Sequence, residues 1–392
     1  MFMKAVVAVD SFKGSLSSME AGNAVREGIL KACPDASVIV RPLADGGEGT
    51  TDALIEGLGG ERMEITVTGP LGEPVSACYG YLKETGTAII EMASAAGITL
   101  IPGDMRNPLA ATTYGVGEMI TDAAEKGCRN FIIGIGGSAT NDGGIGMLQA
   151  LGYVFLDEDG HETGRGAQAL SGISRICTDN VYPWLSECTF QAACDVTNPL
   201  CGENGATYIY GPQKGVTEEM KPRLDAALAH FARITADTFG SDHVQAPGAG
   251  AAGGLGFALL SYLNARLTPG IDLILDAVRL EEDLKTADIV ITGEGRLDHQ
   301  TAMGKAPVGV AALAQKYNTK VLAFAGSVTP DARACNGAGI DAYFPIVRGI
   351  TTLEEALTPE NAARNLTDST EQVFRLIKVL SDHKYKQTEG LN

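Results

Sequence analysis

Apolar positions fall into two alternating rhythms along the chain: short unbroken runs and repeats at four-residue spacing. Lys4 to Val9 is a continuous apolar run, the pattern of a parallel strand covered on both faces. Ser17 then opens a helix with a capping box, Ser17-x-x-Glu20, in which Ala21, Val25 and Ile29 recur until Cys33-Pro34 stops it. Val38 to Val40 reads as the next strand, Pro42 to Thr50 as a loop and Thr51 to Glu56 as a short helix. The far end repeats the theme with strand Asp288 to Thr292, helix Ala306 to Lys316, and strands Lys320 to Ala325 and Ala342 to Ile346. An amphipathic helix from Pro359 to Leu380 follows, and then a polar tail expected to fray.

The middle has a different texture. Arg62 to Met92 alternates with period two around Gly69-Pro70 and Gly72-Glu73-Pro74, which predicts an antiparallel excursion. Helices are predicted at Gly115 to Glu125, Gly143 to Leu151, Glu218 to Thr238 and Leu255 to Leu267. Strands are predicted at Phe131 to Ile135, Tyr153 to Leu156 and Thr189 to Ala193. The expected fold is α/β with two domains. A Rossmann-like parallel-sheet domain is built from both chain ends (1–65 and 285–392), and a mixed α/β domain (66–284) is inserted in it, with the active site in the cleft between them.

Composition narrows the functional classes. Glycine supplies 49 of 392 residues, without periodicity and mostly in polar loops, as in α/β enzymes whose backbone approaches a ligand. The net charge of −18, with no basic run, argues against nucleic acid and anionic membrane surfaces. No apolar stretch reaches the ~18 residues of a membrane span. The first strand is too short for a signal-peptide core, and the eight cysteines form no CxxC pair; a cytoplasmic protein with free thiols is expected.

Five segments could carry chemistry. Asp10-Ser11-Phe12-Lys13-Gly14-Ser15, between a strand and a helix, offers a cation and hydroxyls to an anionic group. Asp45-Gly46-Gly47-Glu48-Gly49 sets carboxylates on a permissive backbone, suited to Mg²⁺ or to taking a proton from a hydroxyl. Gly134 to Gly144 offers unhindered N–H groups before a helix, the physics of a phosphate cradle. It also matches the dinucleotide fingerprint, with Asp157 at the expected distance, but the helix begins too late for a nicotinamide site. Thr292 to Thr301 brings Glu294, Arg296 and Asp298 into one loop able to clamp an acidic substrate and a metal. Asp195 and Asn198 stand together at a strand end, with Asp195 a candidate metal ligand or base. Gly248-x-Gly250-x-x-Gly253 follows no strand and reads as a flexible lead into a helix. Gly304-Lys305 lacks the first glycine and the hydroxyl residue of a P-loop, and no histidine pair has zinc spacing.

Taken in order, these segments resemble the type-1 glycerate kinase family: Val9 to Ser15, Pro42 to Thr50, Gly136 to Gly144, Asp195 to Leu200 and Thr292 to Asp298. The resemblance runs from residue 4 to about 380 and implies ATP- and Mg²⁺-dependent phosphorylation of D-glycerate, associated with a 2-phosphoglycerate product. It implies a two-domain α/β fold with one domain made from both chain ends. The residues themselves suit phosphoryl transfer, which asks for phosphate cradling, a held metal, an oriented hydroxyl and compensating cations. Gly136, Gly137, Ser138 and Asn141, with Gly46 and Gly47, are assigned to ATP phosphates. Asp45 and Asp195 share the roles of general base and Mg²⁺ ligand in an open order. Lys13 and Arg296 neutralise the substrate carboxylate or the transferred group, with Asp10, Ser11, Asn198, Glu294 and Asp298 around the substrate. A nicotinamide-dependent dehydrogenase and a non-catalytic acid-binding module remain as alternatives, and monomer and homodimer stay open.

Overall fold

The computed structural model describes residues 3–44 and 49–389. The chain begins with β1 (Lys4–Val7), α1 (Ser18–Ala32) and β2 (Ser37–Val40), continues with α2 (Thr50–Leu58), and then lays down β3 (Glu61–Thr68), β4 (Pro74–Leu82) and β5 (Thr87–Glu91). Helix α3 (Tyr114–Glu125), β6 (Asn130–Gly134) and α4 (Ile145–Ala150) follow, then β7 (Val154–Leu156), β8 (Arg175–Cys177) and β9 (Thr189–Ala193). Next come α5 (Lys221–Phe239), α6 (Leu255–Leu263), β10 (Arg266–Thr268) and α7 (Gly270–Ala277). The chain closes with β11 (Ile289–Leu297), α8 (Ala306–Gln315), β12 (Lys320–Val328), β13 (Ala342–Pro345) and α9 (Pro359–Glu389).

Two compact units result, Met1–Asp45 with Ile274–Asn392, and Gly46–Leu273. Residues 49–65, placed by the sequence pattern with the chain ends, fall in the second unit: α2 packs on β4 and β5, and β3 pairs antiparallel with β4 along its whole length, Glu61 opposite Tyr81 to Thr68 opposite Pro74. The other boundary sits at 273/274 where 284/285 was expected.

The first unit is an open, all-parallel sheet in the order β13-β12-β11-β1-β2. Strand order therefore reverses between β1 and β11, and such a switch point leaves a crevice at the strands' carboxyl ends. Val7, Ile291, Phe324, Leu366 and Phe374 are buried in its core. Helix α1 carries its predicted capping box: Ser17 accepts from Glu20 N while the Glu20 carboxylate accepts from Ser17 N. It packs against α9 through small residues, with Thr367 Oγ1 donating to Ala24 O at 3.0 Å. A Cβ on Gly28 would overlap Thr367 O and come within 2.7 Å of Thr370 Cβ.

The second unit holds a six-stranded sheet in the order β10-β9-β6-β5-β4-β3, parallel from β10 to β5 and antiparallel beyond. Strands β7 and β8 form a separate antiparallel pair. The helix predicted over Leu255 to Leu267 stops at Leu263, because Asn264 adopts a left-handed conformation (φ 50°) that closes it; Arg266–Thr268 then pairs with β9. The final helix runs on to Glu389, past the expected stop at Leu380. All eight cysteines are free, and no helix among the described residues is long and apolar enough to cross a membrane.

Gly28→Val is expected to cost about 1–3 kcal/mol by overpacking the α1–α9 contact. Urea titration checks this; an unchanged midpoint would mean that α9 shifts freely on α1.

Candidate active site

At the switch point of the first unit the strand hydrogen bonds continue past β1. Ala8 N donates to Ile291 O at 2.7 Å and Asp10 N to Gly293 O at 2.9 Å. These bonds carry Asp10 to the carboxyl end of the sheet, where it is 5% exposed and its carboxylate accepts from Ser11 N at 2.6 Å. The following loop closes on itself, with Phe12 N donating to Leu16 O and Ser15 N to Phe12 O, and Gly14 at φ +83° makes the turn. Lys13 is exposed at its tip. Gly295 lets β11 run close beneath: a Cβ there would sit 3.3 Å from Lys13 N.

Glu294, Gly295 and Arg296 lie on β11, where the sequence pattern had ended the strand and begun a loop. Strand pairing continues to Leu297 opposite Val328. Glu294 is buried, accepts from Thr301 Oγ1 at 2.5 Å, and lies 4.0 Å from Lys305 Nζ. Asp298 caps the short helix His299–Ala302, accepting from Gln300 N and Thr301 N, with Arg296 Nε 3.6 Å from its other oxygen. Asp10, Lys13, Glu294, Arg296, Lys305 and Asn365 are among the residues lining a cavity of about 360 Å³. Three cations and two buried carboxylates around so small a space suit a small polar acid. Lys305 is not signalled by the sequence, because Gly304-Lys305 reads there only as a broken P-loop and Lys305 reaches Glu294 only through the fold.

In the second unit, a cavity of about 410 Å³ opens beside the carboxyl ends of β5 and β6, lined by Arg62, Glu91, Ile98, Leu100, Gly136 and Gly137 among others. Burial pushes the Glu91 carboxyl above its ordinary value, although Thr51 N donates to it at 2.8 Å. Gly136 and Gly137 are exposed, whereas the loop beyond them turns inward. Asp142 is fully buried and accepts from Thr113 N at 2.8 Å, Thr113 Oγ1 at 2.9 Å, Gly144 N at 3.1 Å and Gly146 N at 3.4 Å. Burial raises its carboxyl above the usual range and these donors oppose the shift. The N-terminus of α4, expected to face a phosphate, is instead satisfied by Asp142.

Asn141, expected on the phosphates, is also fully buried, and its amide donates to Thr207 Oγ1 at 3.0 Å. It holds the loop from within. Ser138 borders the exposed glycines and accepts from Lys214 Nζ at 2.7 Å. The 248–253 glycine segment is not a flexible lead but a buried brace. Gly143 N donates to Gly253 O at 2.9 Å, and a Cβ on Gly253 would overlap Thr140 O.

Asp195, exposed at the end of β9, accepts from Gly270 N at 2.8 Å at the start of α7. Asn198 is used locally, donating to Asn204 O at 2.8 Å and accepting from Tyr210 Oη at 2.6 Å. Asp45, Gly46 and Gly47 lie outside the described residues. Asp157, required by a dinucleotide site, belongs to a turn after β7 in the separate hairpin, where its carboxylate accepts from Asp159 N and His161 N.

Residues 5–378 match the model of the glycerate kinase family. The chain belongs to the glycerate kinase family. It is 48% identical over 377 residues to a glycerate kinase of Bacillus subtilis (strain 168), covering 96% of this chain and 98% of that one. It is 48% identical over 354 residues to the glycerate 2-kinase of Escherichia coli (strain K12), covering 90% and 93%. The crystal structure of the protein assigned as glycerate kinase 2 from Salmonella typhimurium LT2 superposes with a TM-score of 0.90 at 44% identity, over 97% of this chain and all of that one. The chain is accordingly an enzyme, a kinase of the glycerate kinase family, and the dehydrogenase and acid-binding alternatives fall away.

Asp142→Asn puts an amide donor among backbone donors, and a loss of about 2–3 kcal/mol is expected. Chemical denaturation measures it; a neutral result would mean that the loop repacks around the amide.

Proposed function

We propose that this kinase transfers the terminal phosphoryl group of ATP, with Mg²⁺, to the C2 hydroxyl of D-glycerate, giving 2-phosphoglycerate. The observation that carries the reading is the small cavity at the switch point, where Lys13, Arg296 and Lys305 surround Asp10 and Glu294. The Escherichia coli relative is a glycerate 2-kinase, which supports the regiochemistry.

In this reading Lys13 and Arg296 engage the substrate carboxylate, or else the charge on the transferred group. Asp10 and Ser11 meet the hydroxyls. Thr301 and Lys305 hold Glu294, and Asp298 steers Arg296. The exposed backbone of Gly136 and Gly137, with Ser138, takes nucleotide phosphates, and Gly46 and Gly47 are assigned there as well. Asp195 fits a Mg²⁺ site by donor chemistry, since it is an exposed carboxylate held in place by Gly270 N and Mg²⁺ prefers oxygen ligands. Bound there, Mg²⁺ would neutralise charge on the phosphate oxygens. Asp45 and Asp195 divide the roles of metal ligand and base. The base accepts the hydroxyl proton as the glycerate oxygen forms its bond to phosphorus and the bond to ADP breaks.

The deciding assay measures ADP release with D-glycerate and couples the product to enolase. Immediate coupling is expected, because enolase consumes 2-phosphoglycerate directly. A requirement for added mutase would move the phosphate to C3, and absence of glycerate-dependent ADP would overturn the reading. Lys13→Ala, Arg296→Ala and Lys305→Met are each expected to raise the glycerate KM about tenfold or more with a smaller change in kcat. The reverse split places that cation on the transferred phosphoryl group. Asp45→Asn is expected to lower kcat by ~10²–10⁴-fold if Asp45 is the base. A loss below about tenfold with KM unchanged removes it from the chemistry.

A further inference from the structure

Behind the glycine loop lies a lysine that the reaction as proposed does not use. Lys214 ends the short turn Pro212–Lys214 and is 2% exposed. Its Nζ donates to Ser138 Oγ and to Thr140 O, each at 2.7 Å. The buried Asp142 carboxylate acts on it through charge, favouring the ammonium, and on its own segment the neighbouring Gln213 O accepts from the Arg106 guanidinium at 2.8 Å. Asp142 is already engaged by four donors from Thr113, Gly144 and Gly146, so the pair is not a simple closed ion pair.

We infer that Lys214 is a positioning residue for the nucleotide phosphates: its ammonium turns the Ser138 hydroxyl outward as a donor and supplies positive charge from behind the loop. This rests on reading Gly136 to Ser138 as the phosphate loop. An ammonium has donors only, so Ser138 Oγ must accept from it and the Ser138 O–H is directed to another acceptor. With Gly136 and Gly137 exposed beside it, the acceptor on that side is water in the free enzyme and, on this reading of the loop, a phosphate oxygen in the nucleotide complex. A neutral amine carries a lone pair; the Ser138 O–H can then turn inward, and the loop loses both a donor and a charge.

Burial pulls the Lys214 ammonium down to about 7, against the pull of Asp142. An anion on the loop favours the charged form, so binding above neutrality must draw a proton onto Lys214. Affinity is therefore greatest below about pH 7 and falls as the pH rises through it.

The test is calorimetric titration of the full chain with MgADP, whose metal-bound phosphates stay ionised over the range used, in buffers of different ionisation enthalpy. The wild type is expected to take up a substantial fraction of a proton at pH ~8 and to bind about tenfold more weakly at pH ~8.5 than at pH ~6.5. Lys214→Met is expected to show no such uptake and to bind weakly and equally at both values. A purely structural lysine would instead lower thermal stability and leave proton uptake and pH dependence as in the wild type, which overturns the inference. If Lys214→Met does not fold, the wild-type profile decides, and a flat affinity without proton uptake overturns it. Failure of MgADP to bind at all removes the phosphate-loop reading and this inference with it. Glycerate-dependent ADP release with pH-independent MgADP binding leaves the kinase standing and sinks only the role of Lys214.

Discussion

A carboxylate sealed from water has to be met by donors, and at Asp142 the donors that meet it shape the glycine loop of the second unit. Three backbone N–H groups and one hydroxyl converge on it. Each of those groups would itself be costly to leave unpaired in the interior. The result ties the start of α3, the start of α4 and the glycine loop to one point. Thr113 then passes the tie onward, its hydroxyl accepting from Met147 N at 2.9 Å. Satisfying α4 from within also decides what faces outward: the helix end is closed, and the loop presents the bare backbone of Gly136 and Gly137.

The first unit solves a different electrostatic problem. Its parallel sheet delivers Asp10 and Glu294 side by side at the switch point, because β1 and β11 are neighbours with strand order reversing between them. Two buried acids at one place call for cations and hydrogen-bond donors. Ser11 N answers for Asp10, and Thr301 with Lys305 for Glu294. Lys13 and Arg296 stay exposed at the rim. Glycines at 293, 295 and 326 let the backbones of β11, β12 and the Lys13 loop approach closely enough for this arrangement.

Much of this was legible along the chain. The run Lys4 to Val9, the Ser17 capping box and the period-two stretch after Arg62 each resolve into the expected element, since local sterics and burial pattern determine them. The errors have identifiable physics. Leu267 continued a helical repeat, but Asn264 tolerates the left-handed conformation that ends α6. Glu294 to Leu297 looked like loop because glycine and charge interrupt the apolar run, yet pairing with β12 carries the strand through. Asn141 is a different case: it is buried and its amide donates to Thr207 Oγ1, a partner too distant along the chain for local pattern to show.

The sequence by itself determined most of the element types and the family, because strand and helix periodicity and ordered motifs are properties of neighbouring residues. Tertiary structure alone decided where the units divide, that β3 belongs to the inserted sheet, and which polar groups meet across long separations. Lys214 and Ser138 are far apart in the chain, as are Glu91 and Thr51, and nothing in local pattern announces such pairs. They exist because burial removes water as a partner, and a buried donor or acceptor must then find its complement wherever the fold brings one within reach.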